Sequence, residues 1–192
     1  MIRSHERILR EILRARGLQS TAEQQAFLDP QYETYRHDPL LLPDMMAAVE
    51  RLKQARDQKQ KVVIYGDYDI EGLTATTLLV EALTAFGLEV TAFIPSRFVD
   101  GYGLSKKAIE DLAAAGAELI VTVDCGSLSH DEIVRAAELG VDVIVTDHHS
   151  VAPTMPPAVA VINPKRLLAE NPDAYENFVC LSKQKKLYPF VD

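Results

Sequence analysis

Three short runs in this 192-residue chain carry acid or histidine: Asp67-Tyr68-Asp69-Ile70-Glu71, Asp124 beside Cys125, and Asp147-His148-His149. In the first run the acids alternate, and alternate residues share a face only while the backbone stays extended. Three carboxylates this close repel one another unless a cation sits among them. The plainer reading is a solvated acidic turn in which Asp69 or Glu71 caps the next helix. An EF-hand is excluded, because the loop lacks the glutamate which that motif carries at its twelfth position. Asp124 at a strand end could equally be a helix cap. The paired histidines are sharper, since neutral imidazole is a ready metal ligand, although one of the two could serve only as a structural hydrogen bonder. Carboxylates with imidazole and no thiolate suit manganese or magnesium better than structural zinc. Two such ions about 4 Å apart would activate water and clamp a phosphoryl group.

Each run is delivered by an apolar stretch: Lys61-Val62-Val63-Ile64-Tyr65, Leu119-Ile120-Val121-Thr122-Val123 and Val143-Ile144-Val145-Thr146. Short β-branched runs bounded by glycine and polar residues read as buried strands. Helical patterns separate them, so the expected fold is α/β, with a mainly parallel sheet of about five strands flanked by helices. Such sheets bind ligands at the carboxyl ends of their strands, where all three runs fall. The remaining strands are expected over residues 90–94 and 158–162. Core helices are expected over residues 73–86, 105–115 and 129–139, with Ser105 as one cap and Ser129 to Glu132 as a capping box. Ahead of the core lies a short helical lead-in. It has an amphipathic helix over residues 4–16, with Ile8, Leu9, Ile12 and Leu13 on one stripe and Gly17 as C-cap. A capping box at Ser20 to Glu23 opens a second helix, and a third covers residues 44–58. The division is 1–58 lead-in, 59–166 core and 167–192 an incomplete C-terminal segment.

Composition bounds the function classes. The chain is 47% hydrophobic and 25% charged, ordinary for a globular protein. Its formal net charge of -8 argues against a strongly basic nucleic-acid surface. No apolar run approaches the roughly 20 residues of a membrane span, and the charged N-terminus lacks a signal-peptide core. Cys125 and Cys180 make no disulfide framework, which suits a reduced, cytoplasmic protein.

Taken in order, the motifs resemble the DHH phosphoesterase superfamily. Gly66-Asp67-Tyr68-Asp69-Ile70-Glu71-Gly72 is similar to its first motif, Val123-Asp124-Cys125-Gly126 to its second and Asp147-His148-His149 to its third. Ile94-Pro95-Ser96-Arg97 with Asp100-Gly101-Tyr102-Gly103-Leu104-Ser105 looks like the RecJ-like branch, the single-strand-specific 5′ to 3′ DNA exonucleases of repair and recombination. The resemblance implies a metal-dependent phosphodiesterase with a two-ion Mn²⁺ or Mg²⁺ site. Carried over by position, Asp69, Glu71, Asp124 and His148 are the metal ligands, with Asp124 bridging. Asp67, Asp69 and His149 form the catalytic set. Asp67 supports the loop, His149 contacts the scissile phosphate and Arg97 holds a neighbouring one. The implied partner is single-stranded DNA, with a single-strand-binding protein or helicase beside it, and no membrane.

The chain also departs from the pattern. The family has Asp where this chain has Glu71, and the added methylene shifts the carboxylate by about 1 Å, which matters at ion distances near ~2.1 Å. A further aspartate ligand, which the family carries in a downstream Gly-Thr-Ile-Ala-Asp-like segment, has no counterpart here, so the chain reads as a fragment with low activity alone. One alternative is a DHH nanoRNase or cyclic-dinucleotide phosphodiesterase. Its first motif carries histidine before a Pro-Asp-x-Asp run, unlike Gly66-Asp67-Tyr68-Asp69. The other is a metal-poor scaffold, favoured by Glu71 and opposed by the intact Asp124 and His148.

Overall fold

A computed structural model describes residues 2–32, 38–96 and 103–170. Arg97, the loop around it and residues 171–192, including Cys180, lie outside the described residues. The chain divides into two compact units, 42–167 and 1–41 with 168–192.

The larger unit is built on five strands: β1 (Lys61–Tyr65), β2 (Glu89–Phe93), β3 (Leu119–Val123), β4 (Asp142–Thr146) and β5 (Ala160–Ile162). They form one sheet in the order β2-β1-β3-β4-β5, and every pairing in it is parallel. The period-two alternation of a strand sends neighbouring residues to opposite faces. Val63, Tyr65, Ile120, Val143 and Val145 join one buried cluster, with Ile109 of α5 (Lys106–Ala114) and Ile133 of α6 (His130–Glu138). Val62, Ile64, Leu119, Val121 and Ile144 join the other, with Ala48 and Ala55 of α3 (Met45–Asp57) and Leu83 of α4 (Ile70–Ala85). Burial on both faces explains why β3 is apolar almost without interruption, each such side chain contributing roughly 1.5–3 kcal/mol. The sheet unit begins at Leu42, earlier than the expected core boundary at residue 59, because α3 packs its small residues directly on the strands.

Two helix starts differ from expectation. Helix α4 begins at Ile70, three residues before the expected start, because Asp69 caps it. At α6, Ser129 is the N-cap residue but its side chain makes no capping bond. Its ψ of 55° is far from the extended 155° that lets Ser20 cap, so the second capping box does not form.

In the smaller unit, α1 (Ile2–Ala15) and α2 (Thr21–Leu28) follow the sequence signals. Gly17 closes α1 at φ 96°, and Ser20 and Glu23 form a reciprocal capping box. Leu13, Leu18 and Phe27 pack together, while Ile8, Leu9 and Ile12 of the expected stripe are exposed. A 3-10 turn covers Pro39–Leu41. In the larger unit, α7 (Pro164–Glu170) starts just after β5 and runs past the unit boundary at residue 167.

Strand order places the site. From β1 the chain moves to β2 on one side, then returns past β1 to β3 and continues to β4 and β5. The reversal opens a crevice at the carboxyl ends of β1 and β3. There β1 runs into Asp67, β3 into Asp124 and β4 into Asp147, with Asp124 N–H to Thr146 and Asp147 N–H to Ile162 extending the ladders one residue past the strands.

Candidate metal centre

The acidic loop reverses immediately after β1. A Cβ on Gly66 would stand 2.0 Å from Thr76 Oγ1, and one on Gly72 would stand 2.6 Å from the Asp67 carbonyl oxygen. Only glycine lets the first turn of α4 lie against the backbone of Asp67. The chain therefore does not stay extended, and the three acids do not share one face. Asp67 is 2% exposed, and its Oδ1 is buried without a hydrogen-bond partner. Asp69 Oδ1 accepts the Gly72 N–H at 2.8 Å, so the capping alternative holds for this residue. Glu71, in the first turn of α4, is exposed and lies across from β4.

Asp124 follows β3 directly with φ 63°, a left-handed conformation that aspartate tolerates better than most residues. Its side chain is 6% exposed, and Oδ1 lies 3.0 Å from His148 Nε2 and 3.9 Å from His149 Nδ1. His148 Nε2 is also 3.4 Å from Glu71 Oε1. The two rings sit 4.5 Å apart between centroids. Burial raises the Asp124 carboxyl above its ordinary range and the Glu71 anion adds to this, against the lowering effect of His148 and His149. A buried carboxylate that a second anion pushes further from ionisation is a site a cation would stabilise.

Asp147 works differently. Its Oδ1 accepts the backbone N–H of His148 at 2.7 Å and of His149 at 3.1 Å, and bonds His149 Nδ1 at 2.8 Å. Its Oδ2 accepts the Ser127 N–H at 2.9 Å. Burial pushes this carboxyl up, but the bonds from His149 and Ser127 outweigh it and hold the group below its ordinary range. An ionised Asp147 requires the proton on His149 Nδ1 for their bond to form, leaving Nε2 as the ring's acceptor.

The structure thus brings together Asp124, His148 and His149, whose ligand atoms lie within 4.8 Å of one another, with Glu71 reaching His148. His149 joins this cluster, although the resemblance assigns it to the catalytic set and the scissile phosphate rather than to the metal. Asp67 and Asp69 flank it, one buried and one used as a cap. Sequence reasoning gave no role to Asp147, Ser127 or Asn163. Asp147 was signalled by its place beside the histidines, whereas nothing local marks Ser127 or Asn163. The donor set fits a hard divalent cation: carboxylates and imidazoles, a raised buried Asp124 and an orphaned Asp67 oxygen. The neighbouring thiol of Cys125 is pushed up by burial and then by Asp147, Asp67 and Asp124, so it stays protonated and offers no thiolate.

Comparison with known proteins agrees in position. A family model described as "DHH family, N-terminal domain" matches residues 61–176. The single-stranded-DNA-specific exonuclease RecJ of Bacillus subtilis is 36% identical over 159 residues, 83% of this chain and 20% of the relative. That of Dickeya dadantii is 44% identical over 158 residues, 82% of this chain and 27% of the relative. Among solved structures, exonuclease RecJ bound to manganese superposes with a TM-score of 0.63 at 38% identity, covering 72% of this chain and 34% of that one. RecJ in complex with Mn²⁺ from Thermus thermophilus gives 0.61 at 32% identity, covering 82% of this chain and 21% of that one. The chain therefore spans 20% and 27% of the length of these two curated relatives.

Proposed function

The chain belongs to the DHH family, and from that membership we propose that residues 59–166 form a metal-binding part of a phosphodiesterase acting 5′ to 3′ on single-stranded DNA in repair or recombination. The observation that carries this reading is the cluster of Asp124, His148 and His149 in the crevice between β1 and β3. The names of the RecJ relatives supply the substrate class.

In this reading Asp69, Glu71, Asp124 and His148 would hold the metal, Glu71 coming from the first turn of α4 and Asp69 from its cap. When bound, Mn²⁺ or Mg²⁺ supplies Lewis-acid activation of water and neutralisation of phosphate charge. The chain's own residues do the rest. Asp67 braces the reversal that brings Asp69 and Glu71 to the crevice. Asp147 orients His149 through Nδ1; in that tautomer Nε2 is an acceptor able to serve the ion beside Asp124 and His148, and His149 meets the scissile phosphate as a donor only when Nε2 also carries a proton. Arg97 is assigned to a neighbouring phosphate. A single-strand-binding protein or helicase is the expected partner class. Among the described residues no helix is long and apolar enough to cross a membrane. A cytoplasmic location belongs to the same proposal and rests on the reading of Cys125 and Cys180 as reduced thiols.

Affinity for DNA in this chain should be low. Phosphate contacts supply much of nucleic-acid affinity, and the net charge is -8. Lys106, Lys107 and Arg166 near the crevice already face Asp131, Asp111 and Asp44. The test is a 5′-labelled single strand incubated with the chain and Mn²⁺. Weak, Mn²⁺-dependent shortening that is lost in Asp124→Ala and absent with duplex supports the reading. Shortening that persists in Asp124→Ala, or none at high enzyme concentration alongside no Mn²⁺ binding, overturns it.

A further inference from the structure

Asn163 follows β5, belongs to none of the recognised motifs and is fully buried, with 0% exposure. Its Nδ2 donates to Ser127 Oγ at 2.8 Å and to the His149 carbonyl at 3.0 Å. Its Oδ1 accepts the Lys165 N–H at 2.9 Å. These partners settle which end of the amide is which, because a carbonyl needs the NH₂ and an N–H needs the oxygen. Ser127 is itself buried, and its N–H is one of the bonds that hold Asp147. Two branches therefore leave one amide: one grips the backbone of His149 directly, and the other passes through Ser127 to the carboxylate that bonds the His149 ring.

The geometry points to Asn163 as a positioning residue: by anchoring Ser127 and the His149 backbone it keeps Asp147 against His149 Nδ1, and so holds His149 in the Nδ1–H form with Nε2 as acceptor. The alternative is a residue that merely fills space under β5. The network argues otherwise, because each of the amide's contacts is a directional bond and two of the three lead to the histidine pair. Removing the side chain takes these bonds from Ser127 Oγ, whose hydroxyl also bonds Asp147, from the His149 carbonyl and from the Lys165 N–H, and relaxes both restraints on one imidazole. Groups that orient a metal-binding imidazole through its other nitrogen commonly change metal affinity by about 10–100-fold. The affinity part of the inference rests on the metal reading of Asp124, His148 and His149, and the ring-orientation part does not.

The experiment compares the full chain with Asn163→Ala, Ser127→Ala and the double variant. Long-range proton–nitrogen NMR of the metal-free chain, in buffer alkaline enough that the spectrum shows only the neutral ring, reads the His149 tautomer, and calorimetric titration with Mn²⁺ reads affinity. The wild type should show a single Nδ1–H pattern. Asn163→Ala should show mixed tautomers and bind Mn²⁺ about tenfold more weakly or worse. Ser127→Ala, which deletes one hydroxyl and tests the relay should Asn163→Ala not fold, should move both readouts the same way by less. The double variant should be no weaker than Asn163→Ala, since both act along one path. An unchanged Nδ1–H pattern in Asn163→Ala, or in Ser127→Ala where only that variant folds, overturns the inference. A wild type that keeps the fixed tautomer, loses it in the variants and yet binds no Mn²⁺ leaves the positioning role standing and removes the metal reading instead.

Discussion

His148 Nε2 stands 3.0 Å from Asp124 Oδ1, joining the ends of the adjacent parallel strands β4 and β3. The pairing depends on register: Val123 lies opposite Thr146, so the residues just beyond each strand end at the same height. One partner is a buried carboxylate and the other an exposed imidazole, an arrangement suited to receiving an ion from the crevice.

Asp124→Asn tests that relationship with little disturbance of the backbone, since asparagine also tolerates the left-handed conformation. The variant should lose at least tenfold in Mn²⁺ affinity by calorimetry. Its metal-free melting temperature should equal or exceed that of the wild type, because a buried carboxylate held above its ordinary range is removed. In the wild type, Mn²⁺ at 100 times its dissociation constant should add about 2.7 kcal/mol by linkage, and the variant should gain far less. Equal affinities would remove Asp124 from the ligand set.

Glu71 reaches His148 from the first turn of α4, with 3.4 Å between Oε1 and Nε2. Shortening it by one methylene withdraws the carboxylate by about 1 Å, a large step against metal–oxygen distances near ~2.1 Å. Glu71→Asp should therefore weaken Mn²⁺ binding severalfold, read by the same titration. Tighter binding would mean that the longer side chain displaces an ion and that aspartate is the better fit.

Gly72→Ala should destabilise the chain by about 2 kcal/mol or more in chemical denaturation. In an unobstructed helix the exchange gains up to about 1 kcal/mol. Here the new Cβ meets the Asp67 carbonyl oxygen at 2.6 Å and its nitrogen at 2.7 Å, and backbone cannot swing aside as a flexible side chain would. A stabilised variant would show that the acidic loop relaxes freely around α4.

Asp147 sets an acid limit on the metal-free chain. Its folded pKa is lowered from the ordinary 3.8, so its contribution to stability is present above that value and lost as pH falls through the still lower folded one. Asp124 has the opposite sign. Its folded pKa is raised, so its contribution is complete below 3.8 and is lost as pH rises through the folded value. Denaturation midpoints across the acid range should show Asp124→Asn abolishing the second loss and keeping the first. An identical profile in wild type and variant would contradict the shift assigned to Asp124.

The fold and the metal class were legible in the residues. The apolar runs at Val62, Leu119 and Val143 announce buried strands, Ser20 and Ser105 announce helix starts, and acid with paired histidine at strand ends announces a divalent cation. Such signals live within a few neighbours along the chain, where periodicity and capping act. The tertiary structure decided the rest. It turned Asp69 into a cap, left Ser129 without its capping bond, drew His149 into the ligand cluster and set Asp147 as the anchor of both histidines. The bonds from Asn163 to Ser127 and from Ser127 to Asp147 cross 36 and 20 residues of sequence. Contacts of that span exist only once the parallel strands have settled their register, because a shift of one residue would turn each of these side chains to the opposite face of the sheet.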